Sequence, residues 1–139
     1  MITYFDTSAF ITLLIAEPGT EAAEHIWSAA DDLASARLIA VEARSALAAA
    51  TRAQRLTARQ HRTAKRELTE LLDQLNFVDI TEEVIAAAGT LAEDHALRGY
   101  DAVHLAAALA IGSDVMATSD AELGEAAQRL GLHLAHPNA

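Results

Sequence analysis

Ile2-Thr3-Tyr4-Phe5-Asp6-Thr7-Ser8 is a β-branched and aromatic run that stops on an acid and turns at once into the start of a helix. The run reads as a strand, and the helix that follows extends to about Ala16, where Pro18-Gly19 ends it. Outward from this opening the pattern repeats. A helix is expected from Thr20 to Ala30, a short strand at Leu33 to Ser35, and a long Ala-rich helix from about Leu38 to Gln54. Thr57 and Gln60 make a capping box for a helix to about Gln74, and Phe77 to Ile80 reads as a strand. Thr81 caps a helix with Glu82 and Glu83 in its first turn, which ends before Gly99. Asp101 opens another helix to about Ile111, Val115 to Thr118 is a strand, Ser119 and Glu122 make a second capping box, and Leu132 to Ala135 is a last strand. Alternation of this kind implies a three-layer α/β/α domain around a central parallel sheet of about four to five short strands.

Composition bounds the rest. The chain has 139 residues, 52% of them hydrophobic, enough for one ordinary domain with a core of its own, and residues 1–139 read as that single domain. The N-terminus carries no basic segment, and the longest apolar stretches free of Asp, Glu, Lys and Arg, 7–16 and 102–113, are too short to cross a bilayer. A soluble, unexported, cytoplasmic protein with no membrane partner is expected. Without cysteine there is neither a disulfide framework nor a thiolate nucleophile, so any chemistry falls to oxygen and nitrogen groups.

Four acids stand where a carboxylate costs stability unless something binds it: Asp6, Glu42, Asp101 and Asp120. Asp6 and Asp120 fall at or just past strand ends, where ligands gather in open α/β sheets. Glu42 lies among Leu38, Ile39, Ala46 and Ala49, the one charge in an apolar stripe, while Arg44 and Arg52 point elsewhere on the same helix. Its partner must be a distant group or a metal. Asp101 begins a helix whose inward stripe is Leu105, Ala108 and Leu109. Each acid alone also has a structural reading: Asp6 and Asp101 as caps, Asp120 as a first-turn acid behind Ser119. Converging without compensation, the four would repel one another strongly in a crevice of low effective dielectric. A cation resolves this, and an all-oxygen set without His or Cys suits Mg²⁺ or Mn²⁺ and disfavours zinc. Substituting Asp6 or Asp101 by Asn is then expected to preserve or raise stability.

The formal net charge of −10 is unevenly spread. Between 37 and 66 stand Arg37, Arg44, Arg52, Arg55, Arg59, Arg62, Lys65 and Arg66 against the single acid Glu42, so this segment carries +7 and the remainder −17. It reads as a basic face on an acidic body, suited either to phosphates, with Arg44, Arg52, Arg55 and Arg59 as the candidate contacts, or to an acidic protein partner. The six histidines form no pair at metal-ligand spacing except by accident, and none stands beside a Ser nucleophile. His104, one turn from Asp101, reads as a hydrogen-bonded core histidine. A phosphoacceptor receiver needs a Lys at a late strand end, and the one Lys here is Lys65 within the basic segment. A haloacid-dehalogenase-type phosphatase needs a second Asp where Ser8 stands.

Tyr4-Phe5-Asp6-Thr7-Ser8-Ala9, Val41-Glu42-Ala43-Arg44, Gly99-Tyr100-Asp101-Ala102-Val103-His104-Leu105-Ala106-Ala107-Ala108 and Ala117-Thr118-Ser119-Asp120 resemble, in type, order and spacing, the PIN-domain ribonucleases. More narrowly, the chain resembles the VapC toxins of VapBC toxin–antitoxin pairs over essentially its whole length. The resemblance implies Mg²⁺ or Mn²⁺ bound by Asp6, Glu42, Asp101 and Asp120, with Thr118 supporting them and Thr7 and Ser8 beside them. It further implies hydrolysis of tRNA, rRNA or mRNA, inhibition by a VapB-type antitoxin, and a homodimer. The rival is a catalytically silent PIN fold that binds RNA or protein. One departure is Leu123, three residues past Asp120, where many members carry an aromatic residue.

Overall fold

The computed structural model describes residues 1–138. Five parallel strands, β1 (Ile2–Phe5), β2 (Asp32–Ala36), β3 (Asn76–Val78), β4 (Val115–Ala117) and β5 (His133–Ala135), form one sheet in the order β3-β2-β1-β4-β5. Seven helices cover it: α1 (Thr7–Ile11), α2 (Thr20–Ala29), α3 (Leu38–Arg52), α4 (Ala58–Leu72), α5 (Glu82–His95), α6 (Gly99–Ala110) and α7 (Ala121–Arg129). Alternate side chains of each strand feed opposite cores. Tyr4 and Met116 pack with α5, α6 and α7, whereas Phe5 and Ala117 pack with α1, α3 and α4. This is the three-layer α/β/α arrangement expected from the alternation of elements.

The strand order fixes where the site lies. From β1 the chain builds outward through β2 to β3, then returns to the other side of β1 to lay down β4 and β5. The reversal falls between β1 and β4, where the register pairs Phe5 with Ala117 and Asp6 N–H continues the ladder to the Ala117 carbonyl at 3.1 Å. Crevices at such reversals open beyond the carboxyl ends of the strands. Asp6 and Thr118, the next residue on each strand, are therefore neighbours.

Several local expectations differ from the structure, among them the strand read at Phe77 to Ile80, which is Asn76–Val78, and Leu109, which is exposed. Helix α1 ends at Ile11, well short of Ala16, because the Thr12 hydroxyl bonds the Ala9 carbonyl at 2.6 Å and the following amides tighten to Leu13→Phe10 and Leu14→Ile11 bonds. The buried stripe of α3 is Ile39, Ala43, Leu47 and Ala50, so Glu42 lies on its border and Ala49 is exposed. Helix α6 begins two residues before Asp101, placing that acid at the third helical position, where the macrodipole favours it, with Arg98 at the N-cap. Ser119 does not cap α7. Asp120 does, accepting the Leu123 N–H, while the Ser119 N–H is engaged by the Ser8 hydroxyl.

The capping box of Thr57 and Gln60 on α4 is present as read, at the helix's exposed N-terminal end. Leu105, by contrast, is fully buried against the sheet. Leu105→Ala is expected to cost about 2–5 kcal/mol and Thr57→Ala about 1 kcal/mol; denaturant titration reading the opposite order would show that the α6 layer is not the core of this domain.

Candidate active site

Asp6 leaves β1 and caps α1. Its Oδ1 accepts the Ala9 N–H at 3.0 Å, its Oδ2 accepts the Thr118 hydroxyl at 2.6 Å, and the Ser8 hydroxyl lies 2.8 and 2.9 Å from the two oxygens. These donors keep a carboxylate that is 3% exposed from being orphaned. Burial pushes its pKa up, against the pull of Thr118, Ala9, His104 and Ser8. Thr118 Oγ1 in turn accepts the Asp120 N–H at 3.0 Å, and Ser8 Oγ accepts the Ser119 N–H at 2.9 Å. Two hydroxyls thus join the end of β1 to the turn after β4.

Glu42 arrives from α3 and is half-buried. Its Oε1 accepts from Thr7 Oγ1 at 2.7 Å and faces His104 Nε2 at 2.6 Å. His104 is 1% exposed, and its Nδ1 lies 2.7 Å from the Tyr4 hydroxyl, whose oxygen accepts the Ala36 N–H at 3.0 Å. Burial raises the Tyr4 hydroxyl pKa. A carboxylate can only accept, so the contact with Glu42 is made by a proton on His104 Nε2. Burial also pushes the Glu42 carboxyl up, but the hydrogen bonds from His104 and Thr7 outweigh it and hold Glu42 below the ordinary glutamate value.

Asp101 and Asp120 are bridged by one side chain. Arg98 Nε donates to Asp101 Oδ2 at 2.9 Å, and an Arg98 terminal nitrogen donates to Asp120 Oδ2 at 2.9 Å. The guanidinium lies 4.9 Å from the centre of the Tyr100 ring. Burial raises the Asp101 pKa, with Arg98 opposing it.

All four acids line one cavity of about 100 Å³, together with Thr7, Ser8, Arg98, Tyr100 and His104. The sequence pattern pointed to the acids and the family resemblance added Thr7, Ser8 and Thr118; all of them meet, Thr118 standing just behind Asp6. The structural reading of Asp6 as a cap holds as well, since it caps α1 while facing the cavity, whereas Asp120 is the N-cap of α7 itself and not a first-turn acid behind Ser119. Arg98 and Tyr100 were not among the residues the sequence singled out. His104 is a buried, hydrogen-bonded histidine as read, but it also touches the site. Spacing held the signal for Arg98, which stands three residues before Asp101 at a helix start.

Arg44, Arg52, Arg55 and Arg59 are exposed and none lines the acid cavity. Arg44 borders a groove of about 550 Å³ between α3 and α4 with Val41, His61 and Lys65, and Arg55 and Arg59 border another beside Leu14 and Ile15. Arg55 also pairs with Glu17 at 3.4 Å.

The donor chemistry fits a hard divalent cation: four carboxylates with hydroxyl neighbours and no thiolate. As the side chains stand, however, no three His, Cys, Asp or Glu among the described residues are grouped ready to hold a metal ion. The cation between Asp101 and Asp120 is Arg98.

Comparison with known proteins fits this architecture. The PIN domain family pattern matches residues 3–128. The chain belongs to the PIN domain family. Within the family it is 42% identical over 136 residues to Ribonuclease VapC45 of Mycobacterium tuberculosis (strain CDC 1551 / Oshkosh), spanning 96% of this chain and 94% of that protein. Among solved PIN-like folds, FitAcB from Neisseria gonorrhoeae superposes with a TM-score of 0.74 at 19% identity, covering 99% of this chain and 98% of that one. A toxin–antitoxin complex from Klebsiella pneumoniae superposes at 0.62 and 18% identity, covering 85% and 86%. Among the described residues no helix is long and apolar enough to cross a membrane.

The geometry reverses the stability expected of Asp6→Asn. The donors around Asp6 are committed to it, so an amide NH₂ would face a hydroxyl proton, at a cost of about 1–3 kcal/mol. The sign with pH also follows. The folded-state pKa of Asp6 is raised, so its contribution is fully present below the unfolded value and is lost as pH rises through the folded one. In EDTA, the stability advantage of wild type over Asp6→Asn should therefore grow as pH falls from neutral toward about 4; an advantage that shrinks on acidification would contradict the burial argument.

Proposed function

We propose that this PIN domain is a divalent-metal-dependent endoribonuclease of the VapC toxin type, cytoplasmic, homodimeric and silenced by a cognate VapB-type antitoxin. The observation that carries the reading is the convergence of Asp6, Glu42, Asp101 and Asp120 on one small cavity beyond the carboxyl ends of β1 and β4. The identity to a protein named a ribonuclease supports the activity, and the fold shared with a toxin–antitoxin complex is consistent with an antitoxin partner.

Asp6, Glu42, Asp101 and Asp120 would hold Mg²⁺ or Mn²⁺, which when bound would supply activation of a water molecule and neutralisation of charge developing on the phosphate. The side chains do the rest. Thr118, Ser8 and the Ala9 N–H hold Asp6 in one orientation. Thr7 and the Tyr4–His104 pair hold Glu42 through Oε1, leaving Oε2 to take a proton from the attacking water. In-line attack leaves a 5′-phosphate and a 3′-hydroxyl, and the RNA 2′-hydroxyl is not the nucleophile. Arg44, Arg52, Arg55 and Arg59 hold the RNA backbone against the acidic body. Tyr4, Phe5 and Phe10 are buried in the core, so recognition rests on RNA shape and phosphate contacts more than on base stacking.

Total RNA incubated with the protein and Mn²⁺ should be cut to 5′-phosphorylated fragments, with cutting lost in EDTA and reduced at least 100-fold, roughly, by Asp6→Asn or Asp101→Asn. Metal-independent cutting, or binding of RNA without cutting by wild type, would favour the silent binding module. Replacing Arg52, Arg55 and Arg59 by Gln should weaken RNA binding and flatten its salt dependence, by roughly one unit of log–log slope for each phosphate left without its arginine. A change confined to antitoxin binding would make the basic face a protein dock.

A further inference from the structure

Each acid in the cavity is compensated, but in two different ways. Asp6 and Glu42 are held by neutral hydroxyl and amide donors and a histidine, all buried or half-buried. Such donors leave carboxylate lone pairs for an additional ligand, so they are compatible with an incoming cation. Asp101 and Asp120 are held by a full positive charge. One Arg98 guanidinium spans them, although one acid lies on α6 and the other caps α7.

Exposure separates the partners. The Arg98 side chain is 59% exposed, against 10% for Asp101 and 24% for Asp120. The carboxylates are fixed by the fold and the guanidinium is the part free to leave. An exposed ion pair is weak in water and gives way to a competitor of higher charge density. The Tyr100 ring, 46% exposed, lies 4.9 Å from the guanidinium while it bridges the two acids, a contact at the cavity mouth that does not need both carboxylates.

We propose that Arg98 is an intramolecular stand-in for the divalent ion. It occupies Asp101 and Asp120 in the metal-free protein and must release both for the ion to enter, so it sets the ion concentration at which the site assembles. The proposal rests on reading the acids as metal ligands. It makes Arg98 a positioning residue with two opposed effects: it stabilises the metal-free fold and weakens metal binding. A purely structural arginine would strengthen both.

The test is Mn²⁺ binding by calorimetry and thermal unfolding in EDTA, on the full chain, for wild type, Arg98→Gln, Arg98→Lys and Asp6→Asn. Arg98→Gln should bind Mn²⁺ roughly three- to tenfold tighter than wild type while melting at a lower temperature in EDTA. Arg98→Lys, which keeps the charge but has no planar fork to span two carboxylates, should tighten binding by less and remain folded if the Gln variant is not. If wild type binds Mn²⁺, Asp6→Asn does not, and both Arg98 variants bind no tighter than wild type, the role given to Arg98 is overturned and the metal site stands. If wild type binds no more Mn²⁺ than Asp6→Asn, the metal reading itself fails and the proposal falls with it.

Discussion

Thr118 gives its hydroxyl proton to the Asp6 carboxylate across the seam between β1 and β4, and this hydrogen bond anchors the site. It depends on the parallel pairing that sets Phe5 against Ala117, because only that register brings the next residues of the two strands side by side. A carboxylate buried there with no donors would be costly. With Thr118, Ser8 and the Ala9 N–H directed at it, the same carboxylate caps α1, fixes the turn after β4 and remains aimed into the crevice. The group best suited to bind a cation is also the one that locks the sheet edge.

The other acids extend this logic to different elements. Glu42 comes from a helix beyond β2 and reaches the cavity through a chain that starts in the sheet: Ala36 N–H, Tyr4 hydroxyl, His104, then carboxylate. Its orientation is set by residues of β1, β2 and α6 together. Asp101 arrives in the first turn of α6 and Asp120 at the N-cap of α7, where macrodipoles help offset their charge. The result is a negative pocket in which Asp6 and Glu42 are held by hydroxyls, an amide and His104, and Asp101 and Asp120 by the exposed Arg98. Opposite in sign, the basic face of α3 and α4 lies outside the cavity. On the proposed reading, attraction of an RNA backbone and hydrolysis of its phosphodiester are therefore carried by separate surfaces of one small domain.

Much of this was legible in the sequence because it follows from local rules. Strand-to-acid-to-helix at Phe5-Asp6-Thr7, the capping box at Thr57 and Gln60, and the Thr81 cap each depend on a few adjacent residues, and each is present. The places of Asp6, Asp101 and Asp120 at strand and helix ends were legible, while Glu42 was found as the one charge in an apolar stretch of a helix. What escaped depends on contacts between distant segments. Ser119 looked like the cap of α7, but its amide is taken by Ser8, over a hundred residues earlier, and the cap passes to Asp120. The stripe around Glu42 was drawn one step off the buried one, since periodicity alone cannot say which border of an apolar arc faces the sheet. Repulsion among the acids was expected to need a foreign ion, and that reasoning omitted the chain's own cation, Arg98, which reaches Asp120 on another helix; the contact of His104 with Glu42 likewise joins residues that sequence distance alone does not pair.

The account turns on whether these carboxylates share a divalent ion in exchange for Arg98, and anomalous diffraction from Mn²⁺-soaked crystals addresses that directly. A manganese peak about 2.0–2.2 Å from oxygens of both Asp6 and Asp101, with the guanidinium withdrawn from Asp101, is the expected result. No peak in the cavity at saturating Mn²⁺, with Arg98 still bridging Asp101 and Asp120, would contradict it.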